Sequence, residues 1–94
     1  MQIIWEEEAL EDLRHIRRHI ARDNREAARQ VAARIIQAVN VLVDQPEIGR
    51  PGRVVGTREL VITGTPYLAP YGVIGDAVLI LRVLHGAQRW PERF

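Results

Sequence analysis

The chain contains no cysteine, which excludes disulfides, thiolate metal ligands and cysteine nucleophiles together. It contains no lysine either: all 13 cationic side chains are arginine. Arginine can stabilise a phosphorane, but with a pKa above ~12 it is a poor proton shuttle, so acid–base chemistry must come from elsewhere. Aromatics are scarce, with two Trp, two Tyr and one Phe. No apolar run approaches the ~20 residues that cross a bilayer, and no charged-then-apolar leader opens the chain, so the expectation is a cytoplasmic protein without a membrane partner. At 94 residues the chain is expected to form one domain, 1–94, and a domain of this size is marginally stable without a partner. Hydrophobic residues at 47% and charged ones at 27% are the balance of a globular protein.

The net charge of +1 conceals a segregated pattern. Acids crowd the start (Glu6, Glu7, Glu8, Glu11, Asp12). Seven arginines then fall between Arg14 and Arg34 against only Asp23 and Glu26. That excess attracts an acidic partner or a phosphate backbone, although charge runs on helices are most often solvated faces. The second helix's Arg25, Arg29 and Arg34 carry no recognised nucleic-acid motif, so phosphate contact there is nonspecific.

Met1–Trp5, rich in β-branched and aromatic residues, predicts a short first strand. From Glu6 to about Arg22 the period changes. Ala9, Leu13, Ile16 and Ile20 recur on one helical stripe, with glutamates in the first turn and arginines near the end, as the helix macrodipole favours. Asp23 with Glu26 three positions on suggests a capping box, with Asn24 as the other possible cap. A second helix to about Val43 then places Ala28, Val31, Ala32, Ile35, Val39 and Leu42 on one face. The short break between them predicts an antiparallel helical hairpin.

Residues 44–56 carry proline and glycine too densely for any regular element. Strands are expected at Arg58–Ile62 and Tyr67–Ile74, the latter with Pro70 marking an edge or a bulge. Gly75-Asp76 reads as a hairpin turn. Val78–Leu84 is the most apolar stretch and reads as the central strand. The predicted order is β-α-α-β-β-β, an α+β fold with the helical hairpin on one face of a small, mostly antiparallel sheet. The opposite face must be polar or be covered by another chain.

Taken together, the helical hairpin, Gln45-Pro46-Glu47-Ile48-Gly49-Arg50-Pro51-Gly52, Thr57-Arg58-Glu59-Leu60, Pro66-Tyr67-Leu68-Ala69-Pro70-Tyr71 and the ending Ile80–Pro91 resemble the RelE/ParE superfamily of type II toxin–antitoxin toxins. The resemblance covers essentially the whole chain, and Arg82-Val83-Leu84-His85-Gly86 is its most specific part. It implies a growth inhibitor silenced by a cognate antitoxin that wraps around it in a hetero-oligomer, with the uncovered sheet and the helix-hairpin grooves expected to accept an amphipathic antitoxin helix and an added strand. RelE-like members cut messenger RNA on the ribosome, while ParE-like members inhibit DNA gyrase. The basic set that RelE-like toxins use is depleted here. Leu68 and Gln88 stand where that group has basic residues, the C-terminal aromatic position falls near Phe94, and the lysines are absent. The ParE-like branch is favoured by this resemblance, with the ribosome-dependent nuclease as alternative and a non-toxic peptide-binding module as a third reading.

If the chain is a nuclease, the candidates are Arg58, Arg82, His85 and Arg89, with His85, Tyr67 or Glu59 left to move protons. For target and antitoxin binding they are Arg58, Tyr67, Arg82, Arg89 and Trp90, since tryptophan and arginine dominate interface hot spots. Arg82, inside an apolar strand, is either on the open sheet face or in a buried pair with Glu59; the cost of buried charge favours the open face. His85 on its own is more often a structural histidine than a functional one. Glu11, His15 and His19 share one helical face at a zinc-like spacing, but no further ligand accompanies them, so they read as solvent-facing. No metal and no cofactor is expected.

Overall fold

The computed structural model describes residues 1–94. β1 (Gln2–Trp5) leads into α1 (Glu7–Ala21), and α2 (Arg25–Asn40) folds back on it. Asn24, not Asp23, caps α2: its side chain accepts the Ala27 amide at 3.0 Å. α2 stops at Asn40, three residues short of the expected end, and tightens into a 3₁₀ turn at Val41–Val43 that buries Leu42.

The strands are β2 (Arg50–Pro51), β3 (Arg58–Val61), β4 (Tyr67–Ile74), β5 (Ala77–Ile80) and β6 (Leu84–His85). Their order is β1-β5-β4-β3-β2, with β6 continuing along β4 beyond β5. All pairings are antiparallel except β1 with β5, which is parallel. β2 arises inside the stretch expected to be all loop. The centre of the sheet is β4 rather than the apolar Val78–Leu84 segment, which lies between β1 and β4 and is interrupted. Gly75, with φ of 60°, takes the first position of the β4–β5 turn, as a II′ hairpin requires.

The interruption has a definite geometry. Tyr71 lies opposite Ile80 and Leu68 opposite Leu84, while the Leu81 amide donates to the Pro70 carbonyl at 2.9 Å. Arg82 and Val83 therefore both stand opposite Ala69, which is a β-bulge. Pro70 explains its place. A strand residue's nitrogen and carbonyl face the same neighbour, and Pro70 has no hydrogen to give on the side where the ladder opens.

Ile35, Val39, Leu42, Leu60, Ile62, Ala69, Tyr71, Val78, Ile80 and Val83 pack into one core between the helices and the sheet, with Ala9 and Ile16 completing it. By alternation, Glu59, Leu68, Pro70 and Leu84 point to the far face of the sheet, yet they too are buried. The chain itself supplies the cover. The 50–57 segment and the C-terminal tail meet on that side, where the Arg53 guanidinium stacks 3.9 Å over the Trp90 ring. The far face is thus closed in part by this chain's own 50–57 segment and C-terminal tail, where a polar lining or a second chain was expected. Ile4, Val61 and Ile74 remain exposed on it.

Candidate functional site

Arg82 does not reach the open face. The bulge turns it toward α1, where its Nε donates to Asp12 Oδ2 at 2.7 Å and its Nη2 to Oδ1 at 3.0 Å. The Val83 amide, released from the ladder by the same bulge, donates to Asp12 Oδ2 at 2.9 Å. One carboxylate thus satisfies a bidentate guanidinium and an otherwise orphaned N–H. Glu8 adds a weaker ion pair at 3.8 Å. The hydrogen bonds to Asp12 hold the Arg82 pKa above its ordinary value, outweighing burial, which pulls the other way. Neither reading of Arg82 from the sequence, open face or pairing with Glu59, matches this.

Glu59 has a separate set of partners. Its Oε1 accepts from Arg50 Nε and Nη2, both at 3.2 Å, and its Oε2 accepts the Arg53 amide at 2.7 Å. With the residue 2% exposed, this carboxylate anchors the 50–57 segment. Both of its oxygens are already occupied by partners within the chain. Arg58 is likewise engaged, donating to the carbonyls of Glu47 at 3.2 Å and Gly49 at 2.8 Å. Beside it, Tyr71 accepts the Gly49 amide at 2.9 Å and donates to the Pro46 carbonyl at 2.8 Å. Burial raises the Tyr71 pKa, with Arg58 and the Gly49 hydrogen bond acting in the opposite direction. A Cβ added at Gly49 would lie 2.6 Å from the Tyr71 ring, so the position has room only for glycine. The Pro/Gly loop is therefore stapled to the sheet by Tyr71, Arg58 and Glu59.

Tyr67 and His85 are register partners, and their rings meet edge to face with centroids 5.5 Å apart. Burial also raises the Tyr67 pKa. His85 Nδ1 accepts the Ala87 amide at 3.0 Å, and its carbonyl accepts Trp90 Nε1 at 3.2 Å. Trp90 thus uses its polar edge within the tail and lends one ring face to Arg53. Arg89 is exposed. On α1, His15 and His19 are exposed, and Glu11 is committed to Arg14 at 3.1 Å and Arg18 at 3.8 Å.

Of the residues singled out in the sequence, the fold brings together only Tyr67, His85 and Trp90. Arg58 lies with the loop staple, and Arg82 faces α1. Asp12, Arg50 and Arg53 were missed. Only Pro70 hinted at a bulge, and nothing in the local sequence links Asp12 to a strand 70 residues away.

Comparison with known proteins agrees with this architecture. The family model described as ParE toxin of type II toxin-antitoxin system, parDE, matches residues 3–90. The Y4kP protein of Sinorhizobium fredii is 45% identical over 91 residues, covering 97% of this chain and 94% of that protein. Toxin RelE2 of Caulobacter vibrioides is 37% identical over 87 residues, covering 93% of this chain and 97% of its own length. A chain of the solved chromosomal ParDE TA system from P. aeruginosa superposes with a TM-score of 0.82 at 32% identity, covering 90% of this chain and 95% of that one.

Proposed function

Because the chain belongs to the ParE toxin family of type II toxin–antitoxin systems, we propose that it arrests growth by docking on DNA gyrase and is silenced by a cognate antitoxin in the cytoplasm. The observation that carries this reading is how the candidate nuclease groups are spent. Arg58 is bonded to loop carbonyls, Arg82 to Asp12, and Glu59 to Arg50 and the Arg53 amide. Cleaving RNA through a 2′-hydroxyl needs a base, an acid and a phosphate-stabilising cation around one point. Here the guanidiniums point to separate places, and only the Tyr67–His85 pair could move a proton. Docking asks less: a rigid sheet, anchored loops and exposed arginine and aromatic side chains. No helix is long and apolar enough to cross a membrane.

The antitoxin is proposed to cover what the chain leaves open. The outer edge of β1 has no strand partner, and Ile4 and Ile74 are exposed on the far face. An added strand with apolar side chains at alternate positions suits that edge. Toxin made alone is then expected in poor yield, and coexpression with the antitoxin restores it.

The ribosomal alternative makes a different prediction at His85. Under the gyrase reading, His85→Ala keeps growth arrest, and cells arrested by either form contain broken DNA and intact messenger RNA. Under a nuclease reading, loss of the only histidine near the strands costs about 10²–10⁴-fold in cleavage and relieves the arrest. Codon-phased cuts in messenger RNA that vanish in the His85→Ala variant would replace the proposal with the nuclease.

A further inference from the structure

Arg14, Arg17 and Arg18 from α1 and Arg25 and Arg29 from α2 rim a groove of about 690 Å³ floored by Ala21 and Ala28. On α1 the lining falls at i, i+3, i+4 and i+7, and on α2 at i, i+3 and i+4, so each helix turns one continuous face to the groove. No carboxylate lines it. Glu11 and Glu26 hold Arg14, Arg18 and Arg29 only through exposed surface pairs, which are weak and readily exchanged. Arg17 and Arg25 take part in no ion pair.

The occupant must match that lining. An acidic helix docking here would need pockets for apolar anchors at i, i+3, i+4 and i+7. Apart from the aliphatic stems of the arginines, the groove offers it two alanine methyls and no pocket-forming large side chain. A single nucleic-acid strand would want an aromatic platform for its bases, and the lining has none. What remains is an unbroken double rim of planar forks that grip phosphate oxygens in pairs, with small side chains between them that allow close approach.

We propose that this helical-hairpin groove binds the sugar–phosphate backbone of duplex DNA without sequence preference. The proposal of a duplex polyanion rests on the arginine lining of the groove; the choice of DNA over RNA rests on the gyrase reading, whose target holds DNA. Binding is electrostatic and therefore steeply salt-dependent.

The test is fluorescence anisotropy of the full-length chain with a labelled duplex of about 20 base pairs, without gyrase, over roughly 50–300 mM salt. Five contacts predict that log Kd rises with log salt at a slope of about 4.5. Arg17→Gln with Arg25→Gln lowers that slope by about 2 and weakens binding at least tenfold at the lowest salt, while Arg93→Gln, outside the groove, leaves the slope unchanged. Both changes are at exposed positions, and unchanged circular dichroism verifies the fold. An unaltered slope in the double variant, no binding at low salt, or tighter binding to a single strand or to polyglutamate overturns the proposal. Tighter binding to duplex RNA than to duplex DNA overturns the choice of DNA. Because gyrase is left out, failure here does not bear on gyrase inhibition, and failure of inhibition does not bear on this binding.

Discussion

Replacing Asp12 by alanine is expected to lower the melting temperature by roughly 10–20 °C, the equivalent of about 3 kcal/mol in a domain of this size. The loss is large because Asp12 does three things at once. It accepts two guanidinium hydrogen bonds from Arg82 and one amide hydrogen bond from Val83. Without it, Arg82 is left with only the exposed Glu8 at 3.8 Å, and the bulge amide has no acceptor. A donor stripped of its partner costs more than the hydrogen bond itself was worth. Asp12→Asn keeps an acceptor for Val83 but gives up the charge, so it should fall between the two. Thermal or urea unfolding of the three proteins decides the matter. An alanine variant within about 0.5 kcal/mol of the parent would mean that Asp12 does not hold the bulge.

Glu59→Ala should cost about 2–3 kcal/mol, since hydrogen bonds to a buried carboxylate are among the stronger ones. The more informative consequence is local. Arg53 donates its amide to Glu59 and lays its guanidinium over Trp90. Freeing the 50–57 segment should therefore also unseat the tail, raising Trp90 solvent exposure and its susceptibility to fluorescence quenching. Glu59→Gln preserves the shape and should cost about half as much. At a temperature where both variants remain folded, growth arrest by Glu59→Gln is expected to persist, because the carboxylate anchors a loop. Complete loss of arrest by a folded Glu59→Gln protein would return this residue to the list of catalytic candidates.

The parts of this fold that could be read from the chain are those set by local periodicity. The Ala9/Leu13/Ile16/Ile20 stripe and the face from Ala28 to Leu42 form helices because a 3.6-residue repeat of apolar side chains has one good solution. Gly75-Asp76 was readable for the same reason: a positive-φ glycine suits the turn. Sheet order was not readable, because nothing local says that β1 pairs with β5 in parallel or that β4 is the middle strand. The apolar count of Val78–Leu84 suggested a central strand, but its burial comes from β1 on one side, β4 on the other and a bulge that puts Val83 in the core. Pro70 carried the right signal, a bulge, without saying that the extra residue would be on the neighbouring strand. Strict alternation sends Arg82 to the open face, and the bulge breaks that alternation and turns it to Asp12.

The candidate site was less legible than the fold. Residue types marked Arg58, Tyr67, His85 and Trp90 as worth following, yet what each does depends on long-range partners such as Asp12, Gly49 and Arg53. The arginine excess between Arg14 and Arg34 was visible as charge. That five of those arginines face one another across a groove is a consequence of the hairpin.

The reading of a docking toxin is tested most directly by adding the purified chain to gyrase, ATP and relaxed plasmid. The expected result is that the plasmid stays relaxed or accumulates as gyrase-linked broken DNA, that His85→Ala does the same, and that the cognate antitoxin restores supercoiling. Undisturbed supercoiling at micromolar concentrations of folded toxin, with messenger RNA cleaved in a translating extract by the same preparation, would contradict it.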